Sequence, residues 1–206
     1  MAVHPCTVRS LSKNRVFQQA ASRIVMACLF CLGFWQLGHS AYIPAKAWFA
    51  QELMQRAWRK NDQAVAPNRP WPWADTWPVA RMSAKGGAVE LIVLAGSSGR
   101  TLAFGPGHMS TSVLPGETGN SIIAGHRDTH FQFLQDLQAG ESLLFDMPNG
   151  QSHMFRVTSI DVVDSRRGSI VLDTEIPMLS LVTCYPFSST AVGGPMRYVV
   201  SAEMIY

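Results

Sequence analysis

Three residues in the C-terminal part of the chain are of the types that a nucleophilic centre needs: Cys184, His126 and Arg197. Cys184 closes an aliphatic and β-branched run, 179–186, which predicts a strand that carries the thiol to a Pro-stopped turn. His126 follows the strand-like sequence Ile-Ile-Ala-Gly in the same way. A cysteine nucleophile needs a proton-transfer partner and donors for the oxyanion. Imidazole and guanidinium suit those two tasks.

Each of these residues also has a plainer interpretation. Free cysteine packs as a small hydrophobe, so Cys184 could be a buried core residue. Arg197 could be an ordinary exposed arginine at the start of a strand, and Arg127 would point to the opposite face from His126 if that strand continued. His126 and His130 are four residues apart and hint at a metal site. Two histidines with one aspartate are too few and too loosely spaced for zinc, so no metal is predicted.

Charge is distributed unevenly along the 206 residues. Residues 1–60 contain eight Lys or Arg and one Glu, whereas residues 61–206 contain nine Lys or Arg and thirteen Asp or Glu. The first segment therefore carries +7 (8 − 1) and the remainder −4 (9 − 13), in agreement with the total of +3. Nucleic-acid-binding domains collect positive charge on a folded face. The weakly acidic remainder argues against that function.

The N-terminal segment has the pattern of a membrane anchor. Residues 1–23 form a basic tail predicted to be cytoplasmic, and 24–43 lack formal charge over a length that can span a bilayer as a helix. Trp35 and Tyr42 would lie near the outer interface. The competing interpretation is a signal peptide cleaved near Ala45-Lys46-Ala47. Of the four cysteines, Cys6 precedes the apolar run and Cys28 and Cys31 lie in it, so Cys184 is the one cysteine of the body.

Two further regions follow the predicted anchor. Residues 44–88 combine helix formers, predicted to form a helical stalk, with a segment rich in Trp and Pro. Residues 89–206 show short β-like runs between turn residues, which predicts an all-β barrel or sandwich with one helical turn at 131–138. The eight predicted strands are 89–95, 101–104, 121–124, 143–145, 154–163, 169–172, 179–183 and 197–205.

Taken together, the residues resemble the signature of the sortase family over roughly 89–206. The resemblance rests on Leu181-Val182-Thr183-Cys184, on the pair Gly125-His126 and on Arg197 a short loop beyond the cysteine. The family usually has Thr-Leu-x-Thr-Cys, and this chain has Ser180 in the first position, which keeps a hydroxyl. The anchor, the Trp- and Pro-rich segment and the short barrel most resemble the sortases of Gram-negative bacteria.

The resemblance implies an eight-stranded β-barrel with one or two short helices, preceded by an N-terminal transmembrane helix. It implies a cysteine transpeptidase of the cysteine peptidase class that cleaves a C-terminal Leu-Pro-x-Thr-Gly-like sorting motif of a protein substrate. Cys184 would be the nucleophile, and His126 would act as the general acid and base. Arg197 would donate hydrogen bonds to the oxyanion and to the substrate. Leu181 and Thr183 would contact substrate. An amine would accept the acyl group.

No cofactor is implied, although some relatives bind calcium through acidic loop residues. In this chain the loop acids are dispersed: Asp161, Asp164, Asp173 and Glu175. A cytoplasmic-membrane location, with the catalytic domain on the periplasmic side, follows from the predicted anchor. Two other functions stay open: a cysteine peptidase or amidase that only hydrolyses, and a non-catalytic anchored β-domain that binds a partner through its Trp-rich face.

Overall fold

The computed structural model describes residues 8–60, 68–189 and 193–206. The chain divides into two compact units, Met1–Trp48 and Phe49–Tyr206. Residues 1–7 of the predicted cytoplasmic tail and residues 61–67, where the Pro-rich segment begins, lie outside the described residues.

Helix α1, Val8–Arg59, supplies the described part of the first unit. Between residues 25 and 35 its large apolar side chains are solvent-exposed. Their exposed fraction ranges from 56% at Leu32 to 72% at Phe34. Among the helices that the structure describes, none combines the length and apolarity of a membrane span.

The second unit is built on a closed β-barrel. Its strands are β1 Pro78–Ala84, β2 Val89–Ala95, β3 Gly107–His108, β4 Gly119–Ala124, β5 Ser142–Asp146, β6 Ser152–Asp164, β7 Pro177–Cys184 and β8 Met196–Ile205. A single helical turn, α2, covers Gly99–Leu102, and two 3-10 helices cover Lys85–Gly87 and Gln132–Asp136. The last of these confirms the helical turn predicted at 131–138.

The order of strands around the barrel is β1-β2-β3-β4-β7-β8-β6-β5. β2 with β3 and β4 with β7 pair in parallel, and the other neighbours are antiparallel. Because β7 has a parallel neighbour on one side and an antiparallel neighbour on the other, its C-terminal end lies beside the end of β4 and the beginning of β8. Residues distant in sequence therefore meet at one rim.

Alternating side chains from the strands fill the barrel interior. Fully buried members include Met82, Val93, Ile123, Phe155 and Leu179. The 3-10 helix closes one side with Leu134, and the buried Phe131 precedes it. Burial of this apolar surface is the main favourable term in folding, at about 25 cal/mol per Å², and the closed barrel leaves no long unpaired edge strand.

The fold confirms the predicted eight-stranded barrel but corrects several of its elements. The barrel begins at Pro78, before the predicted boundary at 89, because β1 pairs with both β2 and β5. The predicted strand 101–104 is instead part of α2 and its C-terminal turn, since the Ser98 hydroxyl accepts a hydrogen bond from the Thr101 amide and caps that helix. The predicted strand 169–172 is a loop. β3, with two residues, was not predicted.

The predicted stalk is helical up to Arg59, yet it does not stand apart from the barrel. Met54 and Trp58 are buried against Ile92 and Leu94 of β2. The Gln51 side chain adds a 2.7 Å hydrogen bond to the carbonyl of Phe104. The last turns of α1 therefore belong to the body of the second unit.

The predicted Trp-rich face is divided in the structure. Trp71 packs edge-on against Phe104 with ring centroids 5.3 Å apart, and Trp77 is half-buried. Trp73 alone of the three is strongly exposed, at 82%. Within the described residues, these rings do not form one continuous exposed surface.

Candidate active site

Cys184 and Arg197 are directly opposite each other in the register of β7 and β8. Opposed residues of an antiparallel pair place their side chains on the same face, with Cβ atoms about 4.5–5.5 Å apart. Cys184 is partly exposed, and Arg197 is half-buried. Both residues were predicted from the sequence to lie at strand ends, and the structure brings them to the same rim.

His126 reaches the same rim from β4. Ala124 pairs with Val182 in the parallel ladder, and the Gly125 amide continues it with a 3.1 Å hydrogen bond to the carbonyl of Val182. Extending this register by two residues sets His126 beside Cys184. His126 is exposed, so both candidate reactive groups are open to solvent at the end of adjacent strands.

Arg197 is fixed by the loop that leads into its strand. Its Nη1 donates to the carbonyl oxygens of Gly194, over 2.6 Å, and Met196, over 2.9 Å. These contacts hold a permanent positive charge next to Cys184, where an oxyanion would develop.

Arg127 is a site residue that sequence reasoning assigned no role. It is 8% exposed, and its guanidinium donates from Nη1 to the carbonyl of Pro186 over 3.0 Å and from Nη2 to the carbonyl of Ser189. Its Nε also contacts Asp128 at 3.1 Å. The residue after His126 thereby holds the loop after Cys184. The only sequence signal was an arginine adjacent to the histidine.

Leu181 and Thr183 lie elsewhere than the resemblance implied. Leu181 is 0% exposed and Thr183 is 2% exposed, because alternate residues of β7 face the barrel interior. Neither side chain is open to a substrate. Thr183 instead donates its hydroxyl to the carbonyl of Gly125 over 2.7 Å. Its role is to join the cysteine strand to the residue before His126.

A groove runs along the outer face of the barrel towards Cys184. Its floor includes Ser180 and Val182 of β7, which share a face with Cys184 by strand alternation. Arg197 and Val199 of β8 continue the floor, and the loop 165–176 between β6 and β7 supplies a wall. The cavity measures about 570 Å³. Its volume and its largely aliphatic floor suit a short peptide in extended conformation.

An aromatic cluster supports the loop after Cys184. Tyr185 stacks on Tyr198 with ring centroids 6.2 Å apart and an interplanar angle of 14°. Phe187 meets the Tyr198 ring edge-on at 5.1 Å. Burial, with a smaller contribution from Tyr185, raises the pKa of Tyr198. The cluster keeps the first residues of the loop on the barrel.

His130 lies near the site without belonging to its reactive trio. Burial lowers the pKa of His130, and the positive charge of nearby His126 lowers it further. Within residues 8–60, 68–189 and 193–206, no three His, Cys, Asp or Glu side chains converge to hold a metal ion. Of the loop acids considered for calcium, Asp164 pairs with Arg166, which lowers the pKa of Asp164 to about 2.

Fold and site together define a closed eight-stranded barrel with Cys184 and Arg197 at one rim and His126 just past the end of the neighbouring strand β4. The family model described as "Sortase domain" matches residues 82–205. The chain belongs to the sortase family.

Individual relatives agree with this membership. Sortase D of Bacillus subtilis (strain 168) is 32% identical over 117 residues, which cover 56% of this chain and 58% of that protein. The chain thus matches less than two thirds of that relative's length. The Clostridium perfringens Sortase D5 transpeptidase shares the fold with a TM-score of 0.56 at 22% identity, over 74% of this chain and 89% of that one. Sortase A from Corynebacterium diphtheriae shares the fold with a TM-score of 0.58 at 21% identity, over 76% of this chain and 84% of that one.

Proposed function

We propose that the protein is a membrane-anchored cysteine transpeptidase, which cleaves a Leu-Pro-x-Thr-Gly-like C-terminal sorting motif and transfers the acyl group to an amine. The observation that carries the proposal is the direct opposition of Cys184 and Arg197, with His126 two residues beyond the last pair of the β4–β7 ladder on the other side of β7. The groove that Arg197 lines, on the face of β7 that carries Cys184, supplies a place for the peptide.

The reaction follows from the roles of the three side chains. The Cys184 thiol gives its proton to His126, its sulfur forms a bond to the carbonyl carbon of the scissile peptide, and Arg197 stabilises the negative charge that moves onto the carbonyl oxygen. The carbon–nitrogen bond then breaks, and His126 gives a proton to the departing amine. The product is a thioester on Cys184.

The second half reverses these steps with a new amine. That amine attacks the thioester carbon and loses a proton to His126, and the carbon–sulfur bond breaks to regenerate the cysteine. If water entered instead, the protein would be a hydrolytic cysteine peptidase. The two functions share the thioester and differ in the nucleophile, amine or water, that resolves it.

Product analysis tests the proposal on the full-length protein in detergent. A fluorogenic Leu-Pro-x-Thr-Gly-type peptide is supplied with and without an amine acceptor, and mass spectrometry separates the amine-capped product from the acid. We expect the capped product to dominate when the acceptor is present. A predominance of acid at all acceptor concentrations would instead establish the hydrolase.

Matched variants assign the chemistry to the site. Cys184→Ala and His126→Ala should abolish cleavage, whereas Cys28→Ala removes a thiol outside the barrel and should leave the rate unchanged. Arg197→Ala should lower kcat/KM by about 100-fold or more, the cost of losing an oxyanion donor. Arg156→Ala, at an exposed position on β6, is its control. Full activity in Cys184→Ala would refute the proposed mechanism.

Anchoring in the cytoplasmic membrane, with the barrel on the periplasmic side, is part of the same proposal. It rests on the charge-free run 24–43 behind a basic tail and on the resemblance to the sortases of Gram-negative bacteria. A tethered enzyme would meet a membrane-held substrate at a raised effective concentration. Carbonate extraction and protease accessibility in spheroplasts test it. Release into the soluble fraction with a new N-terminus near Ala47 would support a cleaved signal peptide instead.

A further inference from the structure

The loop between β6 and β7, residues 165–176, forms one wall of the groove. Ser169, Ile170, Val171 and Thr174 line the cavity from this loop. Much of the loop is otherwise exposed, with Val171 at 64% and Ile176 at 49%. A wall with so little burial of its own depends on specific contacts to hold its position.

The start of the loop is held by Ser165, whose amide and hydroxyl donate to the carbonyl of Pro195 over 2.9 Å and 2.8 Å. Asn120 supplies the contacts to the middle of the loop from the groove floor. It lies on β4, is 4% exposed and lines the cavity. Its backbone amide donates to the carbonyl of Leu172 over 2.8 Å, and its side-chain Nδ2 donates to the carbonyl of Val171 over 2.9 Å. Where the chain is described, both hydrogen bonds that join residues 169–175 to the barrel come from Asn120.

Ser180 holds the Asn120 side chain in the orientation that makes this possible. Asn120 Nδ2 donates to Ser180 Oγ over 3.0 Å, and Ser180 Oγ donates to Asn120 Oδ1 over 3.1 Å. Ser180 is 1% exposed. The hydroxyl at the position where this chain departs from the usual threonine therefore has a partner, and that partner is the residue that holds the loop.

We propose that Asn120 is a positioning residue that straps the β6–β7 loop against the groove and thereby sets how tightly the groove binds the acyl-donor peptide. The idea rests on the proposed function for the identity of the ligand. Its structural part, that Asn120 fixes the loop, is independent of any activity. Loss of the Nδ2 donor leaves the Val171 carbonyl without its partner, so that the backbone amide bond to Leu172 alone holds this part of the loop and local opening becomes more frequent.

Asn120→Asp is the sharpest variant, because it replaces the donor Nδ2 with an oxygen at almost constant size. Asn149→Asp is the matched control: it makes the same chemical change in the exposed turn between β5 and β6, where Asn149 contacts Gln151. Circular dichroism and thermal melting establish that each variant is folded. If the buried carboxylate prevents folding, Asn120→Ser tests the same loss, because its shorter side chain cannot reach the loop carbonyl.

The first readout is thermolysin cleavage of the full-length protein in detergent, followed by mass spectrometry. Thermolysin cleaves before large apolar residues, and Val171, Leu172 and Ile176 offer such sites within the loop. We expect cleavage between residues 170 and 176 to be about tenfold faster in Asn120→Asp, the size expected for loss of one buried hydrogen bond. Parental protein and Asn149→Asp should be cleaved alike.

The second readout is the affinity for a Leu-Pro-x-Thr-Gly-type peptide, measured by titration in the Cys184→Ala background, where the peptide stays intact. We expect Asn120→Asp to raise Kd by about tenfold and Asn149→Asp to leave it unchanged. With active enzyme the same change should appear in KM more than in kcat, because no group at the reacting atoms is altered.

The outcomes separate the two proposals. Equal thermolysin rates in Asn120→Asp and the parent would overturn the strap. Faster loop cleavage with unchanged peptide affinity would overturn its link to substrate binding. Failure of the peptide to bind Cys184→Ala and to be cleaved by the parent would overturn the proposed function, while the thermolysin comparison would still decide whether Asn120 holds the loop.

Discussion

The guanidinium of Arg127 donates a 3.0 Å hydrogen bond to the carbonyl of Pro186, joining the residue that follows His126 to the loop that follows Cys184. A second bond from the same group reaches the carbonyl of Ser189. The segment after His126 and the loop after Cys184 are thus held together by one buried cation, and their separation depends on the planar fork of that side chain.

Arg127→Lys should therefore lower activity without removing charge. An ammonium cannot donate in the same fork, and a small displacement of reacting groups costs about 10- to 100-fold in rate. We expect a fall of that size in kcat, with a smaller change in KM, measured by peptide cleavage. Arg100→Lys is the control, since Arg100 is exposed and forms a surface ion pair with Asp75 at 3.2 Å. A kcat equal to that of Arg100→Lys would contradict the positioning role.

Gly125 should tolerate no side chain. A Cβ at this position would come within 2.7 Å of the Phe131 ring, which is 0% exposed and packed in the barrel core. Overpacking of this kind costs about 1–3 kcal/mol, and the strain would displace the adjacent His126. Gly125→Ala should lower both the melting temperature and the cleavage rate. Gly99→Ala, where nothing lies within 4 Å of the added Cβ, should change neither, and equal behaviour of the two variants would disprove the close-packing argument.

Ser121 and Ser180 should respond in opposite ways to the same substitution. Both are buried, with 0% of Ser121 and 1% of Ser180 exposed to solvent. The Ser121 hydroxyl has no hydrogen-bond partner among the described residues, whereas the Ser180 hydroxyl is hydrogen-bonded to Asn120. Ser121→Ala removes an unsatisfied polar group and should stabilise the fold by up to about 1 kcal/mol. Ser180→Ala should destabilise it by about 1 kcal/mol. Denaturant unfolding measures both, and a loss of stability in Ser121→Ala would show that its hydroxyl is satisfied.

His130 should titrate below the ordinary histidine pKa of 6.5. Burial is the first cause, and the charge of His126 is the second, so His126→Asn should raise the pKa of His130 part of the way to 6.5. NMR titration of the imidazole protons checks this. An unchanged pKa would show that the two rings do not interact.

The same shift makes stability depend on pH with a definite sign. Below pH 6.5 the unfolded chain binds a proton at residue 130 that the folded chain does not yet bind. Stability therefore falls as the pH decreases from 6.5 to the lowered folded pKa, and is constant below it with respect to this group. His130→Gln should remove that part of the dependence, which pH-dependent thermal melting measures.

The sequence predicted those elements whose own residues carry a strong pattern. The apolar runs that became β4, β7 and β8 alternate into the barrel core, as at Ile123, Leu179 and Leu181. β1 was missed because Pro78–Ala84 contains a single β-branched residue and follows a Pro- and Trp-rich segment. The run 169–172 has a strand-like composition for another reason: its apolar side chains partly line the groove.

The reactive residues of the candidate site could be predicted from the sequence, whereas the residues that position its loops could not. Cys184, His126 and Arg197 stand out by chemistry and by position at strand ends. Arg127 and Asn120 act through carbonyl oxygens that lie 59 and 51 residues away in sequence. A backbone carbonyl has no sequence signature, so such contacts appear only once the mixed pairing of β4, β7 and β8 is known.

That pairing also gives the barrel two unlike ends. Cys184 and Arg197 lie at one rim, whereas the turn between β5 and β6, which includes Asn149 and Gly150, lies at the other because β6 runs antiparallel to β8. A fluorophore or a fused reporter attached at this turn would be carried on the side remote from the chemistry. This turn is therefore a suitable attachment site for immobilisation or imaging that leaves the rim with Cys184 and Arg197 accessible.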